Sequence, residues 1–189
     1  MKFRLIRSAL TAMTLLAVIT PACAKAATTN SAALAVTAIV ATSCTITAST
    51  VDFGTYDGAN ANATTNLNAN GTVSATCTQG SAPTIGLGAG QNALATQRRM
   101  KDTNTDFLSY NLLQPPGTAP SAACNYATGT AWGDGTSATT GTVFTPTVAL
   151  SSAARTYNVC GVIPAGQNVP VNGAGNVSYN DSVTATITF

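Results

Sequence analysis

The run Ala33 to Ile46, ALAVTAIVATSCTI, limits the fold more than any other stretch of the chain. Leu34, Val36, Ala38, Val40, Thr42, Cys44 and Ile46 recur at period two, and the opposite face carries Ala35, Thr37, Ile39, Ala41, Ser43 and Thr45. Period-two alternation rich in β-branched residues, with no Gly or Pro, predicts a β-strand. The run is more than twice the usual strand length of about 5–6 residues. Its later half is therefore expected to pair within its own domain, leaving the earlier half free to reach another partner.

Before this run, residues 1–26 read as a secretory signal peptide. Lys2, Arg4 and Arg7 precede a short apolar core from Ala9 to Ile19, and Ala22-Cys23-Ala24 and Ala24-Lys25-Ala26 both suit cleavage after a small residue. The apolar run is too short to span a bilayer. Cys23 follows a poor lipobox, so lipid anchoring is the weaker reading. Cleavage after Ala26 leaves 163 residues, one domain's worth of chain. The four remaining basic residues, Arg98, Arg99, Lys101 and Arg155, face six Asp, for a net charge of −2. No basic patch of useful size remains, so nucleic acid is not an expected partner.

Cleavage also leaves four cysteines, Cys44, Cys77, Cys124 and Cys160. An even number in an exported chain predicts two disulfides, with three possible connectivities. Cys44–Cys77 with Cys124–Cys160 is favoured, because each pair then lies in or beside adjacent strand-like runs. A loop of the first size would stabilise by about 3–4 kcal/mol.

Beyond Ile46 the expected strands are Val51 to Tyr56, Gly71 to Thr78, Pro83 to Leu87, Asp106 to Leu113, Thr142 to Leu150, Thr156 to Ile163 and Asp181 to Phe189. Asp57 to Asn70, Gln114 to Ser137 and Asn168 to Asn180 read as loops. No capped helical pattern occurs after the signal, so the expected class is an all-β sandwich of seven or eight short strands. The final run, DSVTATITF, alternates Val183, Ala185, Ile187 and Phe189 with threonines. No strand follows it to cover its edge, while a surplus strand stands at the other end of the chain.

The chain has no His and no Glu, which excludes Ser-His-Asp triads and His-ligated metal sites. Paired cysteines offer no thiolate, and six scattered Asp suggest no catalytic pair. No enzyme activity, cofactor or metal is expected. Asp102-Thr103-Asn104-Thr105-Asp106 spaces oxygens like the start of a calcium loop, but Phe107 stands where Gly is needed. A polar turn is the better reading. Gly86 to Gly90 reads as a turn rather than a phosphate cradle. Trp132, with Tyr126 nearby in sequence, could stack on a sugar, but an anchor over the core is the simpler role.

Several motifs in order, FGTY (Phe53–Tyr56), GTVSATCTQG (Gly71–Gly80), IGLGAGQN (Ile85–Asn92), RRM (Arg98–Met100), LSYNL (Leu108–Leu112), WGDGT (Trp132–Thr136), GVIPAGQNVP (Gly161–Pro170) and YNDSVTATITF (Tyr179–Phe189), resemble the spore coat U domain family. That family includes subunits of archaic chaperone–usher pili. The resemblance covers nearly all of the mature chain. It implies an incomplete immunoglobulin-like β-sandwich completed by a donor strand. It also implies a periplasmic chaperone, an outer-membrane usher and neighbouring pilin subunits as partners, with export through the periplasm to a cell-surface pilus that serves adhesion and biofilm formation. Carried over residue by residue, it divides the chain into a donor-strand extension at 27–41 and a pilin domain at 42–189. The donor spans about Ser31 to Val40, with Leu34, Val36, Ala38 and Val40 as pocket-fillers. The acceptor groove is lined partly by Val183, Ala185, Ile187 and Phe189. The usual family disulfide corresponds to Cys44–Cys77. Cys124, Cys160 and the long 114–137 insert depart from the family pattern. The alternatives are a glycan-binding adhesin on the pilus surface or tip, and a self-complemented monomeric envelope or coat protein.

Overall fold

The computed structural model describes residues 25, 27–171 and 175–189; the signal peptide, apart from Lys25, lies outside the described residues. The chain divides into an N-terminal unit ending at Ala38 and a body from Ile39 to Phe189. Residues 27–38 form neither helix nor strand.

The body contains β1 (Cys44–Ala48), β2 (Leu67–Cys77), β3 (Thr84–Leu87), β4 (Arg98–Lys101), β5 (Phe107–Leu113), β6 (Arg155–Ile163) and β7 (Ala185–Thr188). No helix occurs among the described residues. Five strands form one antiparallel sheet in the order β1-β2-β6-β5-β4, and β3 and β7 form a second. Alternation puts Val73 and Ala75 of β2, Tyr110 and Leu112 of β5, and Tyr157 and Val159 of β6 on the inner face. Ile85 and Leu87 of β3 share that core. The body is thus an all-β sandwich, as the sequence predicts.

Aromatic side chains fill its centre. Phe144 packs with ring centroids 5.1 Å from both Trp132, tilted, and Tyr157, edge to face. Trp132 is fully buried, and its indole N–H donates to the Ile85 carbonyl at 2.9 Å. It is therefore the core anchor, and it presents no face to a sugar. Arg98 is buried beside it and donates to the carbonyl oxygens of Leu87, Gly88 and Trp132. Three charge-assisted bonds offset the cost of burying that cation, whose pKa burial nonetheless lowers.

Disulfides join Cys44 to Cys77 and Cys124 to Cys160. The first links paired residues of β1 and β2. The second fastens the 114–137 loop to β6. Asn158 Nδ2 donates to Ala122 O, Ser121 N donates to Thr156 O, and Tyr126 OH donates to Ala69 O, so this loop lies along β2 and β6.

The long run from Ala33 is a strand only from Cys44 onward. High β-propensity does not make a ladder without a neighbouring edge. Val51 to Tyr56 is likewise no strand. Among the described residues, no backbone–backbone hydrogen bond involves 50–56, yet Val51, Phe53 and Tyr56 pack on the core. A Cβ on Gly161 would meet Phe53 and Val51 within 3 Å, so glycine permits their close approach. Thr142 to Leu150 reduces to isolated bridges at Thr142 and Phe144. Phe144 and Ala149 are buried there, and scattered backbone bonds from Thr142, Phe144 and Ala149 hold the segment in place of a continuous ladder. In the 57–70 stretch, buried Asn62 accepts from Asp57 N and donates to Thr65 O, and β2 already starts at Leu67. Asp102 is buried, and its Oδ1 accepts from Asn104 N and Asp106 N, the geometry of a side-chain-capped turn.

Candidate functional site: an open sheet edge and its apolar seam

β7 is hydrogen-bonded to β3 and, among the described residues, to no strand on its other side. Ile85 and Leu87 of β3 donate their amides away from β7, to Phe144 O at 2.8 Å and Gly133 O at 3.1 Å. Their register partners on β7 are Ile187 and Ala185. In an antiparallel ladder, residues opposite each other turn their amides the same way relative to the pair: both inward or both outward. Ala185 and Ile187 therefore direct N–H and C=O to the open edge. Thr184, by contrast, accepts from Gly88 N on the β3 side.

The side chains at this edge are apolar. Val183, Ala185 and Ile187 are half-buried and packed against the core. Phe189 stands 54% exposed. β1 runs beside β7 without pairing to it, because the two strands belong to different sheets. Ile46 of β1 and the following Val51, Phe53 and Tyr56 are also half-buried against the same core. Sequence reasoning missed these four as part of the site. Their signal was the partnerless alternation of Val51 and Phe53 soon after β1.

Polar contacts fix the approach to β7. Asp181 accepts from Gln91 N, from Asn92 N and Nδ2, and from Tyr110 OH at 2.7 Å. Burial first, and the bond to Asp181 second, push the Tyr110 phenol well above its ordinary pKa. It stays a neutral donor throughout the physiological range.

The expected donor residues are all exposed: Leu34 at 87%, Val36 at 84% and Val40 at 82%, with Ala38 among them. Leu34, Val36 and Ala38 belong to the N-terminal unit, and Val40 belongs to the body, which begins at Ile39. Within the body, Thr78 holds the root of this segment. Its Oγ1 accepts from Ser43 N and donates to Ala41 O, and its N–H donates to Ser43 O.

No cluster of three or more potential metal ligands occurs among the described residues. No helix among them is long and apolar enough to cross a membrane.

The model of the Spore Coat Protein U domain matches residues 30–186. The chain belongs to the spore coat protein U domain family. "Protein U" of Myxococcus xanthus is 36% identical over 195 residues, covering 96% of each chain. Among solved structures, the chain is similar to one from the chaperone–tip adhesion subunit pre-assembly complex, CsuC–CsuE, of the archaic chaperone–usher Csu pili of Acinetobacter baumannii. That likeness has a TM-score of 0.43 at 21% identity, and it covers 79% of this chain and 40% of the other. The chain thus matches less than half the length of that solved chain. Within the family domain, the match begins in the exposed segment ahead of β1 and runs into β7.

Proposed function

We propose that this spore coat U domain protein is a structural, non-catalytic subunit of a secreted chaperone–usher pilus and polymerises by donor-strand exchange. The observation that carries the reading is the edge of β7. It presents the backbone groups of Ala185 and Ile187 beside half-buried apolar side chains, and no strand covers it among the described residues. Such an edge is a template for strand addition, in which backbone bonds supply affinity and alternate side chains supply register. The exposed alternating segment Ser31 to Val40 has the chemistry of the occupant. A neighbouring subunit's segment would place Leu34, Val36, Ala38 and Val40 along Val183, Ala185 and Ile187 on one side. On the other side it would meet the 50–56 segment, which makes no backbone–backbone hydrogen bond among the described residues.

A subunit with such an edge needs it covered during export, which is the role of a periplasmic chaperone. An outer-membrane usher then exchanges the chaperone's strand for the next subunit's segment. The product is an open, heterologous assembly on the cell surface, suited to adhesion and biofilm formation. The family's description names a coat protein, and a second reading is a coat protein whose own N-terminal segment fills the edge.

The test is deletion of 31–40. The truncated subunit should co-purify with its chaperone but fail to enter detergent-resistant polymer. Polymerisation of the truncated chain overturns the donor assignment. A stable monomer of the full chain, made without chaperone and protected from exchange at 31–40, supports the coat reading instead.

A further inference from the structure

At one end of the sandwich, a group of buried donors has no acceptor. Arg155 and Tyr157 are two residues apart on β6, opposite Ala75 and Val73, which are buried on the inner face of β2. Cross-strand partners share a face, so both side chains enter the space between the sheets. Arg155 Nη1 donates to Thr147 O. Ala149, two residues on, is bonded through its N–H to Ser81 O, and Gly80 N donates back to Ala149 O. The 147–149 segment thus brings Ser81 to the same end as Arg155. Tyr157 is fully buried and Ser81 nearly so.

Four buried atoms of these residues have no hydrogen-bond partner among the described residues: Arg155 Nε and Nη2, Tyr157 OH and Ser81 Oγ. Every one of them can donate. Among the described residues, no carboxylate is bonded to Arg155 Nε or Nη2. Burial raises the Tyr157 pKa, which keeps its phenol protonated. Arg155 is half-buried, with Nη1 at the surface and Nε and Nη2 inside; buried donors without acceptors are costly, more so on a charged group. Two guanidinium nitrogens that can only donate, with two hydroxyls free to turn their protons the same way around one positive charge, favour an acceptor that is negative and small.

We propose that Arg155, Tyr157 and Ser81 form an internal binding site for a small monovalent anion of halide size. The site would tie β6 to the 147–149 segment and to the approach to β3, closing this end of the core by charge where apolar packing stops. It does not use the backbone groups of the open β7 edge and stands whether or not the chain forms filaments.

The test follows thermal and denaturant unfolding of the full chain in sodium chloride or bromide, against sodium gluconate at equal ionic strength. A tenfold rise in halide above its dissociation constant should shift the folding equilibrium about tenfold toward the native state. Tyr157→Phe keeps the core volume, and Ser81→Ala alters one hydroxyl; both should fold and lose most of that shift. Crystals grown in bromide should show an anomalous peak within hydrogen-bond distance of Arg155 and Tyr157. Equal stability in halide and gluconate overturns the proposal. So does an undiminished halide effect in both variants, or an ordered water without anomalous signal at that position.

Discussion

Ile187 of β7 lies directly opposite Ile85 of β3, yet Ile85 is fully buried while Ile187 is only half-buried. The difference follows from what flanks each strand. β3 is bridged by Phe144 on the side away from β7, and Trp132 donates to Ile85 O. β7 has no strand on its far side among the described residues. One apolar residue is sealed and its partner waits for cover, which makes the pair a marker for the proposed assembly.

Leu34→Asp tests the donor from the other direction. Leu34 is 87% exposed in the subunit, so the substitution should leave the unfolding of the body within about 0.5 kcal/mol of the parent. Burial in a partner's groove would lose about 1.5–3 kcal/mol of apolar transfer and add an unpaired charge. Detergent-resistant polymer should therefore disappear from gels while calorimetry of the subunit stays unchanged. Polymer of normal abundance would contradict the assignment.

Donor direction is also constrained. Cys44 pairs with Cys77 at the end of β2, and residues 78–83 lead directly to Thr84, which pairs with Thr188. β7 therefore ends where β1 begins. A donor running parallel to β7 would bring its own body to the end from which the acceptor's extension leaves, and three bodies would crowd one place. An extended filament needs the donor antiparallel to β7, with Leu34 nearer Ile187 than Val40 is. In polymer, Leu34→Cys with Ile187→Cys should form an intersubunit disulfide, and Val40→Cys with Ile187→Cys should not. The reverse pattern sinks the antiparallel arrangement.

Trp132 should rank among the most costly residues to truncate. It is fully buried, packs against Phe144 and bonds to Ile85. Trp132→Ala should destabilise by about 3–5 kcal/mol, read from urea unfolding. Trp132→Phe should recover part of this while still losing the hydrogen bond. Surface binding of sugars should not respond to either change except through unfolding.

Asp134 gives the fold an acid-sensitive contact. Hydrogen bonds from the hydroxyls of Thr139 and Thr136 hold its carboxyl at about 2, below the ordinary 3.8. A depressed folded-state pKa contributes stability above the unfolded value, and that contribution is lost as the pH falls from about 4 through about 2. Asp134→Asn should flatten the pH dependence of the unfolding midpoint in that window and leave its slope near neutrality unchanged. A parent protein with no slope there would contradict the assignment.

Much of this protein was legible along the chain. Alternation gave β2, β3, β5 and β6 nearly in place, because their inner residues meet one shared core and the pattern directly records burial. The cysteine count and the strand-like runs beside each cysteine pointed to the pairing that the structure contains. Absence of His and Glu removed whole classes of chemistry. Local pattern could not say which alternating runs would find a partner edge. Leu34 to Val40, Val51 to Tyr56 and Thr142 to Leu150 all have strand-like composition, and none forms a ladder here. A strand is a relation between two segments, and the second segment is chosen by tertiary packing. For the same reason, the amide direction of Ala185 and Ile187, the half-buried wall of Ile46, Val51, Phe53 and Tyr56, and the link of both Arg155 and Ser81 to the 147–149 segment became visible only in three dimensions. The sequence by itself determined the alternating faces and the cysteine set. The tertiary structure decided which edge is left open, because only the packed sheets fix where each backbone hydrogen bond ends.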